Sequence, residues 1–220
     1  MNQPLIQLLV LAGIAIFLIL RLRNVLGTRD GFEKPSVSDP SQSRRVGRPD
    51  FDVIEGGPDR DITDHVEEGS SSAKALAAMK VAEPGFGVSD FLEGARGAYE
   101  MILMAFESGD LSEVRGFLSD EVAETFQSVI DHREAEGLTV DASFVGLRDI
   151  GLKSAEFNRE ASVGEMTVKF VAELTSVVRN SDGEIVEGKA DEIKRQRDVW
   201  TFSRKLGVDD PNWQLVATGE

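Results

Sequence analysis

The chain has 220 residues, 39 acidic against 24 basic side chains, a net charge of −15 and no cysteine. A chain of this length holds one ordinary domain with extensions. The acidity argues against nucleic acid as a partner, because gripping a phosphate backbone draws on Lys and Arg, and the lack of cysteine excludes disulfides, cysteine–zinc sites and thiol catalysis.

The charge is unevenly spread. Residues 1–50 carry seven basic and four acidic side chains, a balance of +3, which leaves −18 for residues 51–220. From Pro4 to Leu20 the sequence is almost wholly apolar, with Leu5, Leu8, Leu9, Leu11, Ile14, Ile16, Phe17 and Leu20 as its bulk. Seventeen residues as a helix reach about 25 Å, at the short end of a membrane span. No basic residue precedes the run, and Arg21-Leu22-Arg23-Asn24 follows it where a signal peptide would carry a small-residue cleavage site. Residues 1–23 are therefore expected to be a transmembrane anchor. Arg21 and Arg23, with the other early basic residues, all lie after the helix, so the body is expected inside and the N-terminus outside.

Residues 24–87 contain five prolines and many Ser, Gly and Asp. They read as a flexible acidic spacer. Phe51-Asp52-Val53-Ile54 is a small apolar island within it, read as local packing ahead of a docking motif. Further on, Ser72 is placed to cap a short helix bearing Leu76 and Met79.

The folded domain is expected over 88–220. Ser89 is expected to cap a helix whose broad apolar face holds Phe91, Leu92, Ala95, Tyr99, Ile102, Leu103 and Phe106. Gly94 and Gly97 are costly inside it, and close approach of another element is the expected return. Asp110-Leu111-Ser112-Glu113 resembles a capping box opening a short second helix. A third runs from Asp120 to about Glu136, with Gly137 as its stop. After Gly137 the period drops to two. Val140, Ala142 and Phe144 alternate, Leu152–Phe157 is a weaker strand, and Met166, Val168, Phe170, Ala172 and Leu174 make a long one. Asn180–Gly183 is a turn. A strand through Trp200 and Phe202 and a last one over Trp213–Ala217 complete an α+β domain, helices first and antiparallel strands after.

This order looks like the nuclear-transport-factor-two-like cone, three helices on a curved sheet. The residues themselves resemble a narrower family. Pro84-Gly85-Phe86, the run from Phe91 to Ile102, Ala105-Phe106 with Gly109-Asp110, Asp198–Arg204, and Asp210–Leu215 are similar to the Tim-forty-four-like family, named for the import-motor anchor of the mitochondrial inner membrane. The resemblance covers about residues 84–218. With the anchor and spacer, it implies a bacterial inner-membrane relative with its domain on the cytoplasmic face. It implies a non-enzymatic adaptor that recruits a protein partner, such as chaperone or translocase components, and that touches membrane lipid through the anchor. The alternative is a small-molecule-binding or isomerase-like cone tethered to the membrane.

Signs of chemistry are few. His65 and His132 are isolated, with no spaced second ligand, so no metal is expected. Gly85-Phe86-Gly87 has Asp90 where a dinucleotide fingerprint needs its third glycine, and no cofactor is expected. Cone-shaped isomerases place an Asp base and a Tyr donor in an apolar pocket. Tyr99 and Asp198 are the residues that would serve here, although spacing favours a core tyrosine and a rim carboxylate. The large side chains Phe91, Tyr99, Phe106, Phe170, Trp200, Phe202 and Trp213 are mostly expected in the core, with some lining an apolar pocket for a lipid tail or a partner segment.

Overall fold

The computed structural model describes residues 59–219. The expected anchor over 4–20, Arg21, Arg23 and the spacer as far as residue 58 lie outside the described residues. Among the described residues no helix is long and apolar enough to cross a membrane.

Helices come first: α1 (Arg60–Thr63), α2 (Ser71–Ala82), α3 (Val88–Ser108), a 3-10 turn (Arg115–Phe117) and α4 (Asp120–Ala135). Strands follow: β1 (Thr139–Asn158), β2 (Val163–Arg179), β3 (Ile185–Gly188), β4 (Lys194–Lys205) and β5 (Gln214–Gly219). They form one antiparallel sheet in the order β1-β2-β4-β5, with β3 against β2. The α+β reading holds. What reads as two strands around Gly151 is one strand, β1, with three register shifts against β2. Each bulge bends the strand without ending it. The capping-box-like Asp110–Glu113 opens no α-helix; Asp110 accepts from the Ser112 N–H and a three-residue 3-10 turn follows.

One sheet face is the core. Met166, Val168, Phe170, Ala172 and Leu174 of β2 are buried on it. Trp200 and Phe202 of β4 stand opposite Val168 and Met166, hence on the same face. Tyr99, Ile102 and Leu103 of α3 close over them.

Helices that pack on the domain begin well before Val88. Residues 59–87, expected as the end of the spacer, carry α1 and α2, and Leu76 and Met79 are fully buried. A Cβ on Gly164 would stand 3.0 Å from Met79 Cε, so α2 rests on β2 at a point where an added side chain would have to displace the end of Met79. Ser70, not Ser72, caps α2. Ser72 Oγ accepts from the Ala155 N–H at 3.1 Å and covers part of the free edge of β1.

Helix α3 is capped from a distance. Its N-cap is Gly87, which offers no side chain, and Ser89 is not the cap. The Asp61 carboxylate accepts from Val88 N–H at 2.8 Å, Ser89 N–H at 3.0 Å and Ser89 Oγ at 2.8 Å. Lys80 of α2 pairs with both Asp61 and Asp59 at 2.7 Å, and His65 Nε2 lies 3.1 Å from Ser89 Oγ. One carboxylate thus ties α1, α2 and α3 together. Burial pushes the Asp61 carboxyl up, but Lys80 and the Ser89 and Val88 donors outweigh it and hold it well below the usual range. The unfolded chain binds the proton near pH 4, so the contribution of Asp61 is complete above that pH and is lost as pH falls through the depressed folded value. Asp61→Asn should cost about 1–2 kcal/mol at pH 7, the scale of a helix cap. The gap from the parent should narrow below about pH 4; denaturant titrations at both pH values read it.

Candidate functional site

The seven large side chains divide into two groups. Tyr99 and Phe170 are fully buried, Phe202 is 1 % and Trp200 4 % exposed, and these belong to the core. Phe91 is buried too, yet its ring edge meets Trp213 at 4.8 Å between centroids and lines a surface cleft. Phe106 and Trp213 are half-buried. Phe106 stacks near Phe126 and under the Arg133 guanidinium, away from that cleft. The sequence grouped these residues by period, which identifies a face and not a depth.

Tyr99 and Asp198 do meet. The phenol donates to Asp198 Oδ2 at 2.5 Å, and Gln196 Nε2 donates to the same oxygen at 2.9 Å. Burial first, then the hydrogen bond to Asp198 and its charge, push the Tyr99 hydroxyl above its usual range. Tyr99 is stacked on Phe170 at 4.4 Å and flanked by Trp200 at 4.6 Å. Neither Tyr99 nor Asp198 lines any of the clefts described below. The pair pins α3 to β4, from a buried tyrosine to a half-buried carboxylate.

The open feature lies on the other side of α3. A cleft of about 390 Å³ is lined by Phe86, Phe91, Phe117, Phe202 and Trp213, with Arg204 and Glu83 among its polar residues. The Arg204 guanidinium lies 5.2 Å from the Trp213 ring centroid and pairs with Glu83. Glu83 also accepts from Gly207 N–H at 3.0 Å. Burial raises the Glu83 carboxyl, and Gly207 and Arg204 more than reverse this, leaving it below the usual range. Arg204 is itself buried, and its Nε has no acceptor among the described residues.

A second cleft, of about 540 Å³, continues along α3 past Gly97, Met101 and Met104. The two share Gly94, Ala98 and Phe117. Among the described residues, the close approach expected at Gly94 and Gly97 is not present: a Cβ on either would meet nothing there within 4 Å. Gly94→Ala and Gly97→Ala should therefore each raise stability by about 0.5–1 kcal/mol through helix propensity. Thermal melts of the two variants check this.

At the opposite end of α3 a third cleft is polar. Glu107, Arg133, Glu187, Lys194 and Gln196 line about 280 Å³. Burial pushes the Glu107 carboxyl up, partly countered by Arg133 and Lys194. A fourth hollow of about 410 Å³ lies between α2 and the β1 edge, near Ser72 and Phe157. Among the described residues no group of three His, Asp or Glu side chains is placed to hold a metal.

Sequence reasoning missed Phe117 and Asp61 as site or positioning residues. Phe86 and Arg204 sit inside the quoted motifs, but nothing local to them signals a shared cleft. They meet only through the fold.

The fold defines an α+β domain with helices on one face of an antiparallel sheet and an apolar groove along its longest helix. The chain belongs to the Tim44-like domain family, whose model matches residues 72–220. It is 22% identical over 162 residues to the mitochondrial import inner membrane translocase subunit TIM44-1 of Arabidopsis thaliana, covering 71% of this chain and 34% of the relative. It is 26% identical over 117 residues to the TIM44 subunit of Homo sapiens, covering 52% of this chain and 25% of that protein. The match thus spans about a quarter to a third of these relatives' length. The intermembrane-space region of the chloroplast protein ARC6 aligns with a TM-score of 0.39 at 9% identity, over 58% of this chain and 94% of that one.

Proposed function

We propose that this chain is a membrane-tethered, non-enzymatic adaptor that holds a protein partner at the inner face of a bacterial plasma membrane. The carrying observation is the apolar groove beside α3, open at its surface, while the one pair with catalytic precedent, Tyr99 and Asp198, is bonded to each other and lines none of the clefts described. The domain is the nuclear-transport-factor-two-like cone, and the spacer that precedes it gives it reach. The helix over 4–20 is the anchor and its lipid contact, with Arg21 and Arg23 setting the N-terminus outside. The partner belongs to protein translocation, chaperone or translocase components included. Support comes from the names of the relatives, subunits of an import inner membrane translocase.

The test is capture from solubilised membranes by the full chain and by Trp213→Ala. Trp213 is half-buried in the cleft wall, whereas Trp200 is core and its replacement would read folding instead. Recovery of translocase or chaperone subunits by the parent, falling about tenfold in the variant, is expected, since a buried aromatic anchor is worth about 1–2 kcal/mol or more. Recovery of a small molecule and no protein would sink the adaptor reading.

A further inference from the structure

The groove beside α3 has a floor at helical spacing. Gly87, Asp90, Gly94, Gly97, Met101 and Met104 follow one another at three- and four-residue steps along one face. From Gly87 to Met104 this face runs about 25 Å. Among the described residues nothing reaches Gly94 or Gly97. Their lack of a side chain therefore serves no contact within the domain, and the helix carries the cost of two glycines without internal compensation. What the two glycines permit is approach of a foreign backbone, as small residues do wherever helices pack most closely.

An independent observation lies at the Trp213 end. The Arg204 side chain is 8 % exposed and lines the groove. Its guanidinium, paired with Glu83 beside the Trp213 ring, puts a cation at that end of the groove, where the carbonyl end of a docked helix is favoured. An extended strand does not suit the site. The floor is a helix whose backbone is already paired, so an occupant must satisfy its own backbone groups.

Charge selects among helices. Asp90, Glu93 and Glu100 stand exposed along α3 with no ion pair among the described residues, against Arg96 as the one basic residue of the helix. A second copy would bring the same acids face to face and be repelled. We propose that this groove binds one α-helix of a partner protein, with small residues on its docking face and Lys or Arg along its flanks. The proposal rests on the adaptor reading and names the partner's chemistry.

The experiment uses the full chain in detergent and a synthetic 20-residue helical peptide, about 30 Å long. The peptide has Ala at every third and fourth position on one face, Leu beside them and Lys on the flanks. A second peptide replaces each Lys with Glu. Trp213 fluorescence follows the titration, with the buried Trp200 as a steady background. The Lys peptide should bind and weaken on added salt. Gly97→Leu should lower its affinity at least about tenfold, since it fills the line of closest approach, while melting no lower than the parent. Gly94→Leu is the second variant, in case the first fails to fold. Equal affinity for both peptides, or unchanged affinity in both folded Leu variants, would overturn the groove assignment. Self-association of the chain abolished by Gly97→Leu would overturn it in favour of a second copy. If the peptide result fails while the full chain still retrieves translocase subunits, the adaptor reading stands alone. If retrieval fails as well, both fall.

Discussion

Leu76→Ala should destabilise the domain by about 2–5 kcal/mol, the range for emptying a fully buried leucine site. Leu76 is fully buried between α2 and the sheet, beside Met79, which lies against Gly164. The surroundings leave little room to collapse, because α2 is tied at both ends. Lys80 pairs with Asp59 and Asp61, Glu83 pairs with Arg204, and Ser72 holds the Ala155 N–H. For a unit of about 160 residues the loss is worth roughly 2–4 °C in Tm per kcal/mol. Urea unfolding of the parent and the variant measures it. A change under 0.5 kcal/mol, the scale of an exposed site, would return α2 to the spacer and move the domain start back to Val88.

Tyr99→Phe carries the second large effect, about 1–3 kcal/mol, because the Asp198 carboxylate loses a donor in a partly buried place while keeping the Gln196 amide. The ring stays, so its stacking on Phe170 and contact with Trp200 stay. Tyr99→Ala removes these as well and should cost about 3–5 kcal/mol. The hydroxyl also sets a pH signature. Its folded pKa is raised, so its contribution is complete below the unfolded value near 10 and declines as pH climbs past it. The gap between parent and Phe variant should therefore shrink above about pH 10. A gap that stays constant to pH 11 would mean that the phenol does not bond the carboxylate in solution.

These two sites also mark how far the sequence can be read. Period-two alternation from Met166 to Leu174 predicts one buried face, and pairing of β2 with β4 puts Trp200 and Phe202 on it. Asp198 lies two residues before Trp200 and so shares its face, for the same reason: alternation is a property of backbone geometry, independent of neighbours. The apolar stripe of α3 is equally local, and Phe91, Tyr99, Ile102 and Leu103 are buried as its spacing predicts.

Depth and long-range partners are another matter. Asp61 caps a helix 27 residues away, and the Gly87 that begins that helix gives no sign of it. Leu76 and Met79 sit in an alanine-rich helix with only a faint apolar stripe, among Pro, Ser and Gly, and so read as spacer. Met79 packs against Gly164, 85 residues further on, where a side chain would crowd it. Gly94 and Gly97 predict a close approach that the domain itself does not supply.

The sequence by itself determined the α+β class, the order of helices and strands, the buried faces of α3 and β2, the acidic charge and the Tim44-like motifs. Each follows from residues adjacent in the chain or repeating along one element. Only the tertiary structure decided that the domain takes in α1 and α2, that Tyr99 and Asp198 are bonded to each other, and that Phe91, Phe117, Arg204 and Trp213 share one groove. Those depend on which elements pack, and a contact between residues a hundred positions apart leaves no periodic trace in either one.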